Sequence, residues 1–347
     1  MSGAGAGPAQ RGAGPAQRRA DEIRVWLALL VIYVVWGSTY LGIRVVVHDL
    51  PPLLSAGLRF TVAGVILAAV LLVRSGPSGF RVERRQLLGA ITVGALLLVF
   101  GNGLVVLAER TVPSALAALI IASTPLWVAV WRTLTGDRPP RGTLVGVAIG
   151  FVGVGVLVVS SGLSGTIDPF GAALLVLASA SWATGTFVSS KLALPRDPFV
   201  STALQMLAGG LLMLGAGFLR GEPFQPATWI DSPAAFAALL YLVFFGSLGA
   251  FTTYTWLLQH APVSRVATYA YVNPVVAVVL GAVILGETIT PSVIVGGAVI
   301  VAGVALITTF EARSGRARSE RAAAAGAAAQ SVEPILDEGL ADDSLHG

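Results

Sequence analysis

The chain has no cysteine, which excludes a disulfide framework, a thiol nucleophile and a zinc site built on cysteine. Histidine is nearly absent as well, because only His48, His260 and His346 occur among 347 residues. So few histidines, spread so far apart, are not enough for a histidine-rich metal site. The sequence therefore predicts a protein that holds no metal and no cofactor.

Charge is also scarce. Asp, Glu, Lys and Arg together make up 12% of the chain, against about 25% in soluble domains. Apolar residues reach 55%, so the lipid bilayer has to be the solvent of most of this chain. The net charge of +4 raises the question of a nucleic-acid partner. The basic residues stand in short segments between apolar runs and form no continuous stripe, which excludes that partner.

Ten apolar runs follow one another, each of about 20 residues and long enough to cross a hydrocarbon core about 30 Å thick. Before them, residues 1–24 are rich in Gly, Ala and Pro and are predicted to form a disordered cytoplasmic arm. After them, residues 311–347 are predicted to form a disordered cytoplasmic tail. The predicted spans are 25–46, 52–73, 86–108, 112–134, 142–160, 169–190, 198–219, 234–258, 263–285 and 291–310.

Basic residues are distributed unevenly over the segments that join the runs. With the N-terminus on the cytoplasmic side, 18 of the 22 basic residues fall in cytoplasmic segments and only Arg44, Arg110 and Arg220 fall outside. Arg59 is the remaining one and lies inside a run. Because Lys and Arg concentrate on the cytoplasmic side, the bias predicts a multi-pass protein of the bacterial inner membrane with both termini in the cytoplasm.

The two halves of the chain repeat one another at a shift of 146 residues, which becomes 149 to 150 further along. Each half holds five spans, an odd number, so the second half must enter the membrane from the opposite side. We therefore predict an all-α integral membrane fold of ten transmembrane helices. It consists of two inverted five-helix repeats, 25–160 and 169–310, joined by a linker at 161–168, around a central cavity. The aligned landmarks include Trp36 with Trp182, Pro52 with Pro198, Pro125 with Pro274, and Asp137 with Glu287.

Two prolines and one arginine stand out inside the spans. Pro125 and Pro274 bend their helices and free backbone carbonyls near mid-membrane, so they are flexure points, carbonyl ligands of a cavity, or static kinks. A charge as deep as Arg59 costs at least about 2.5 kcal/mol. Arg59 must therefore face a wet cavity or gate, pair with an acid, or extend its charge to the interface. Its counterpart in the second half is the neutral Gln205. Together with Asn102 and Glu109 of the third span, Gln205 is a further candidate for the cavity wall.

Asn102 and Glu109 lie seven residues apart and therefore share one helix face. Glu109 ends the third span, where it could pair with Arg59, bind a proton or an amino group, or form a solvated pair with Arg110. All of these alternatives are compatible with its position.

Aromatic and amide side chains provide the other candidates. Tyr254, Tyr269 and Asn273 lie deeper in their spans than an interfacial aromatic belt requires, so we expect them to line the cavity. Trp36 marks the middle of the first span, where it could stack on a substrate. The small residues that follow it, Gly37, Ser38 and Thr39, would allow a close helix crossing there.

Three stretches carry a resemblance to a known family: WGSTYLGIRVVV with LPPLLSAGLRF, AERTVPSALAALIIASTPLW, and YAYVNPVVAVVLGAVILGE. They resemble the EamA-type drug/metabolite transporter family, and within it the YedA-like exporters, over residues 25–310. The resemblance implies a basket-like bundle around a central cavity. It also implies export of amino acids, metabolites or drugs, driven by an ion gradient or by the substrate gradient. It places Trp36, Arg59, Glu109, Pro125, Pro274 and Glu287 at the signature positions of the family.

We therefore expect a secondary transporter that exports small amphiphilic metabolites, such as amino acids or drugs, by alternating access. Its partners are a small-molecule substrate and the lipid bilayer, with proton coupling and the oligomeric state left open. Short loops, sparse acids and the lack of a nucleophile cluster argue against an enzyme. Two alternatives remain: a non-transporting membrane sensor or scaffold, and a nucleotide-sugar-type exchanger, which would need more cations than Arg59.

Overall fold

The computed structural model describes residues 15–136, 139–163, 168–225, 229, 231–261, 263–266, 268–310 and 312–314. Every regular element in these residues is helical. Eight of the described helices are long and apolar enough to cross a membrane, and two further apolar helices are shorter. The helices are α1 (Pro15–Asp49), α2 (Pro52–Ser75), α3 (Arg84–Ala108), α4 (Ser114–Leu134), α5 (Arg141–Leu163), α6 (Pro169–Ser189), α7 (Pro198–Leu219), α8 (Pro233–Tyr241, continued through Leu242–Gly249 and Ala250–His260), α9 (Tyr269–Leu285) and α10 (Pro291–Ser314).

Most helices begin and end within a few residues of the predicted spans, and α1 is the chief exception. It begins at Pro15 and not near residue 25, so residues 15–24 are helical and the prediction of a disordered arm is wrong for them. The stretch is rich in Ala, Gln and Arg, which favour helix, and Arg24 pairs with Asp21 at 3.3 Å. The predicted linker is shorter as well, because α5 continues to Leu163.

Some predicted features lie outside the described residues. They are residues 1–14 of the arm, residues 315–347 of the tail, residues 164–167 of the linker, and Asp137.

Local sequence explains where two helices of the second half start. Asp168 precedes Pro169 at the start of α6, and its carboxylate accepts a hydrogen bond from the amide of Phe170 at 3.0 Å. Asp197 and Pro198 repeat this arrangement at the start of α7, with a bond of 2.8 Å from the amide of Phe199. An aspartate cap followed by proline in the first turn satisfies free amides and fixes the backbone for helix.

Glycines bring helices of the two halves into backbone contact. A Cβ atom added at Gly57 of α2 would lie 2.7 Å from the amide nitrogen of Leu214 in α7. A Cβ added at Gly146 of α5 would lie 2.8 Å from the carbonyl oxygen of Gly303 in α10, and one at Gly153 would be equally crowded. Membrane helices use small residues in this way for close approach. Helices of the first half therefore pack directly against helices of the second half, α2 against α7 and α5 against α10.

One irregularity occurs in both halves. Residues Ala95–Asn102 of α3 and Leu242–Gly249 of α8 are π-helical, eight residues each, and they begin 147 positions apart. Segments of π-helix are rare and are frequent at functional sites. Their spacing matches the repeat found in the sequence.

Candidate functional site

A central cavity lies between the two halves and contains about 910 Å³ of space free of atoms, its mouth included. Helices from both halves contribute to its wall. The lining residues are Trp36, Thr39, Tyr40, Ile43, Arg59, Gly101, Asn102, Val105, Ala118, Ile121, Ala122, Thr124, Pro125, Ala178, Trp182, Phe251, Tyr269, Ala270, Asn273 and Pro274. The wall contains a single basic residue and no acidic one.

Arg59 supplies the positive charge of this cavity. Its side chain is only 4% exposed, and its Nε donates a hydrogen bond of 2.8 Å to Ser247 Oγ in the π segment of α8. Its guanidinium also lies 4.7 Å from the centre of the Phe60 ring. The described residues provide no ion-pair partner for it. Of the alternatives considered for Arg59 from the sequence, the structure therefore favours a place in the cavity wall over a salt bridge to one of the described acidic residues.

Aromatic rings form one wall of the cavity, and Trp36 stands at their centre. The ring centres of Phe251, Tyr254 and Tyr269 lie 5.4, 5.1 and 5.2 Å from that of Trp36. The indole Nε1 donates to the carbonyl oxygen of Gly246 at 3.3 Å. Because that carbonyl belongs to the π segment of α8, the first helix of one half is fixed to the irregular helix of the other.

Trp182 repeats this arrangement on the opposite side of the cavity. A Cβ added at Gly101, in the π segment of α3, would lie 2.9 Å from the Trp182 ring. The neighbouring Ser181 Oγ donates to the carbonyl oxygen of Leu96 in the same segment at 2.9 Å. Each tryptophan thus packs against the π segment of the other half.

The two prolines both reach the cavity, but their helices differ. α4 is interrupted at residues 122–123, directly before Pro125. The hydroxyls of Ser123 and Thr124 donate to the carbonyl oxygens of Ile120 and Ile121 at 2.6 and 2.7 Å. The carbonyls released by the break are therefore already paired, which disfavours their use as ligands. Pro274 stands inside α9, which continues past it.

Two amides complete the polar wall. Asn102 ends the π segment of α3 and is half-buried. Asn273 is 8% exposed. In the orientation that suits its neighbours, its amide nitrogen donates to the carbonyl oxygens of Tyr269 at 3.2 Å and Tyr33 at 3.3 Å. Asn273 therefore joins α9 to α1 as well as facing the cavity.

Three of the predicted residues do not line the cavity: Gln205, Tyr254 and, as described below, Glu109. The backbone carbonyl oxygen of Gln205 would lie 2.6 Å from a Cβ added at Gly94 of α3, and its side-chain nitrogen donates to Ser201 Oγ of its own helix at 2.9 Å. Tyr254 packs against Trp36 and Tyr269, and its ring centre lies 5.9 Å from that of Tyr269. The expectation that these three residues line the cavity is wrong, because sequence spacing gives depth in the membrane but not the rotation of a helix about its axis.

Glu109 is completely buried next to the cavity but does not line it. Neither of its carboxyl oxygens has a hydrogen-bond partner in the described part of the chain. Arg44 donates instead to the backbone carbonyl oxygen of Glu109. Glu109 lies just beyond the end of α3. Burial raises the pKa of its carboxyl, and nearby Glu287 raises it further, whereas Arg44 and Arg59 act in the opposite direction.

Carboxylates of the second half bind helix starts of the first half at one end of the bundle. Glu222 accepts from the amides of Leu53 at 3.2 Å and Leu54 at 2.9 Å, at the start of α2. Glu287 accepts from the amide and hydroxyl of Ser114 at 2.8 and 2.9 Å, and from the amide of Ala115 at 3.0 Å, at the start of α4. We name this end of the bundle, where α2, α4 and α6 begin, the capped end.

The contacts of α4 change along its length. Its first segment, Ser114–Ile121, packs against α1, α6 and α9. Its second segment, Thr124–Leu134, has its main contacts with α5 and α6. Beyond the break, contacts of α4 with α5 and α6 therefore replace the contacts with α1 and α9 that it makes at the capped end. Among the described residues no group of three or more Asp, Glu or His could hold a metal ion.

The sequence matches the EamA-like transporter family twice, over residues 24–159 and again over residues 169–309. The chain belongs to the EamA-like transporter family. The resemblance seen in the sequence is thus confirmed. As a member of this family the protein is a membrane transporter and not an enzyme.

Relatives of this EamA-family transporter support the assignment. YedA of Escherichia coli K12, described as an uncharacterized inner membrane transporter, is 41% identical over 256 residues, which are 73% of this chain and 80% of YedA. A probable amino-acid metabolite efflux pump of Salmonella typhimurium is 32% identical over 272 residues, which are 74% of this chain and 85% of the pump. A protein of known crystal structure superposes on 83% of this chain and 98% of its own with a TM-score of 0.58 at 22% identity, so the two share a fold.

The EamA-family cavity also contains residues that the sequence did not single out as site candidates. Trp182 is the clearest, and its alignment with Trp36 in the repeat was the signal that could have identified it. Tyr40, Thr39 and Thr124 offer hydroxyls to the cavity, and only the folded arrangement separates them from other hydroxyl residues in the spans.

Proposed function

We propose that this EamA-family transporter is a secondary transporter that exports small amphiphilic metabolites across the bacterial inner membrane by alternating access. Amino acids or related compounds are the favoured substrates, with drugs as a further class, and coupling to protons is part of the proposal. The observation that carries it is the central cavity, because both halves line it and it contains one buried, unpaired guanidinium.

The chemistry of the wall selects the substrate class. Arg59 can bind one carboxylate, and a guanidinium does so through two parallel hydrogen bonds. Trp36, Trp182 and Phe251 offer apolar surface to the rest of the solute, while Asn102 supplies a neutral polar group. A single cation suits a compound with one anionic group. A nucleotide sugar, with its two phosphates, would leave a charge unpaired.

Ten spans in two inverted repeats, residues 25–160 and 169–310, are the architecture that we propose for this transport. The two matches to the family, the paired π segments and the crosswise packing of Trp36 and Trp182 support it. The short stretch of chain between the end of α5 at Leu163 and the start of α6 links the repeats. Inverted repeats allow one half to rock against the other around a fixed site.

The distribution of basic residues supports an orientation with both termini in the cytoplasm, which puts the capped end outside. In that orientation Glu222 and Glu287, which bind helix starts of the first half, close the outer side of the cavity, and α4 departs from α1 and α9 towards the cytoplasm. A reporter fused after Gly347 tests this arrangement. We expect a fluorescent protein to be active there and a periplasmic phosphatase to be inactive, and the reverse result would overturn it.

Transport in proteoliposomes tests the function. A panel of labelled amino acids, cationic dyes and a nucleotide sugar is supplied with and without a pH gradient. We expect saturable movement of one class, accelerated by the gradient and abolished by Arg59→Ala. Arg74→Ala is the matched control, because Arg74 is an exposed arginine at the far end of the same helix, and it should leave the rate unchanged.

Other outcomes separate the alternatives. Movement that does not respond to the gradient would indicate a facilitator and overturn proton coupling. Saturable binding of a ligand without movement would favour a sensor or scaffold. Movement of the nucleotide sugar alone would indicate an exchanger and overturn the proposed substrate class.

A further inference from the structure

Two glutamates lie near one another at the capped end in opposite environments. Glu287 is half-buried, and both of its oxygens accept hydrogen bonds at the start of α4. Glu109 is fully buried, and neither oxygen has a partner among the described residues. A buried carboxylate without hydrogen bonds is costly, and a carboxyl in such a place becomes neutral instead.

Helix dipoles act in the same sense. Glu287 lies at the N-terminal end of α4, where the partial positive charge of the helix stabilises a carboxylate. Glu109 lies directly after the last residue of α3, where the partial negative charge of the helix end opposes one. The neutral form is therefore favoured for Glu109 and the charged form for Glu287.

The charged and titratable groups around Glu109 come from four elements. Arg44 and Tyr40 approach from α1, and Arg59 approaches from α2. Glu287 approaches from the residues that follow α9. Arg110, the next residue of the chain, is exposed. Arg44 donates a hydrogen bond to the backbone carbonyl of Glu109, and Arg59 donates one to Ser247. No described cation forms an ion pair with the carboxyl of Glu109 itself.

We propose that Glu109 is the proton-binding residue of this transporter and that the capped end closes only when its carboxyl is protonated. Closure takes up one proton from the outer solution, which converts the carboxylate to the neutral acid, and opening lets water reach the group and releases the proton. The inference rests on the proposed function in one respect, since it requires that the capped end opens.

The direction of the pH effect follows from the surroundings of Glu109 in the open and in the closed state. In the open state Glu109 is wet, so its pKa is that of an ordinary glutamate. In the closed state burial favours the acid form. The contribution of Glu109 to closure is therefore present at low pH and is lost as the pH rises. Because one proton is involved, the ratio of open to closed molecules changes by up to about tenfold per pH unit.

Thiol labelling tests the proposal without a transported substrate. The chain has no cysteine, so Ala118→Cys places a single thiol in the wall of the cavity, on the first segment of α4. A membrane-impermeant thiol reagent is added from the capped side of proteoliposomes at about pH 5 to 8. The labelling rate is compared with that of Ala118→Cys combined with Glu109→Gln at the same pH, which cancels the pH dependence of the thiol chemistry.

We divide the labelling rate of Ala118→Cys by that of the double variant with Glu109→Gln. We expect this ratio to rise with pH by up to about tenfold per unit, because Gln imitates the protonated acid and keeps the capped end closed at every pH. Glu287→Gln is the matched control. It removes a charged cap of α4, so it should increase labelling at every pH and keep the pH dependence. If Glu109→Gln does not fold, Ala118→Cys alone is compared with Pro223→Cys, an exposed position beside Glu222. A ratio there that does not depend on pH overturns the proposal.

Two further outcomes separate this inference from the proposed function. Labelling with the same pH dependence in the presence and absence of Glu109→Gln overturns the role of Glu109 and leaves alternating access intact. No labelling at any pH, in any variant, overturns both, because the capped end then does not open. If labelling depends on pH through Glu109 but the protein moves none of the tested solutes, the role of Glu109 is supported and the proposed substrate class is contradicted.

Discussion

The two halves contribute matching shapes to the cavity but unequal charge. Trp36 and Trp182 stand on opposite walls, and each packs against the π segment of the other half. Arg59 lines the cavity, whereas the side chain of its repeat counterpart Gln205 does not and instead donates to Ser201 of its own helix. The features that both halves share are the bulky rings and irregular helices that a rocking motion needs. The feature that only one half has is the charge that a substrate needs.

If the protein works by the proposed alternating access, this difference separates the parts that move from the part that binds the substrate. In alternating access, two inverted halves open and close the cavity first on one side of the membrane and then on the other, so both need the same structural elements. A binding group has no such requirement, because there is one site and it stays near the centre. The following predictions test that division, from the largest expected effect to the smallest.

Moving the charge from one half to the other should not preserve function. We expect the double variant Arg59→Gln with Gln205→Arg to lose transport by about 10- to 150-fold, since a charged hydrogen bond is worth about 1.5–3 kcal/mol and the side chain at position 205 does not line the cavity. Its folded state should also be weakened, because a cation there has no described partner. Transport and thermal unfolding in detergent measure the two effects. Gln205→Ala is the control, and restored transport in the double variant would contradict the division.

Asn273→Ala should change substrate affinity. The amide joins α9 to α1 through the carbonyl oxygens of Tyr269 and Tyr33, and it also faces the cavity. We expect the KM for transport to rise by about 5- to 10-fold, the effect of one lost hydrogen bond. Asn102→Ala, on the opposite wall, provides the comparison. A fall in expression with an unchanged KM would instead make Asn273 a packing residue.

The two tryptophans should differ only slightly. Trp36→Phe removes the hydrogen bond to Gly246 and should destabilise the fold by about 1 kcal/mol. The indole of Trp182 forms no hydrogen bond with the described residues, so Trp182→Phe should cost less. Both variants keep a ring in the cavity wall. Unfolding temperatures measured side by side check the order, and a larger effect at Trp182 would contradict it.

Much of the fold could be predicted from the sequence because hydrophobic length determines where a helix can cross a membrane. The bounds of α6 and α7 lie within one residue of the predicted spans. Depth in the bilayer was also predictable, so Arg59, Asn102 and Asn273 were identified as cavity residues. The repeat was visible because prolines and tryptophans recur at a fixed shift.

The contacts between the halves could not be predicted in the same way. Glu222 and Glu287 bind helix starts that lie about 170 residues earlier in the chain, at separations of 168 to 173 positions, and no local pattern indicates such a partner. Helix rotation was equally hidden, which is why Gln205 was misplaced. The π segments have no signature in composition, since an apolar run suits α- and π-helix alike.

The close crossing of α5 and α10 has a consequence for biosynthesis. Gly146 and Gly153 of α5 pack directly against the backbone of α10, and among the described helices α10 is the last to be made. At about 5–20 residues per second, the ribosome needs on the order of ten seconds or more to produce it. During that time the glycine face of α5 has lipid or another protein where its helical partner will be. Two separately expressed halves should therefore become stable only when they meet.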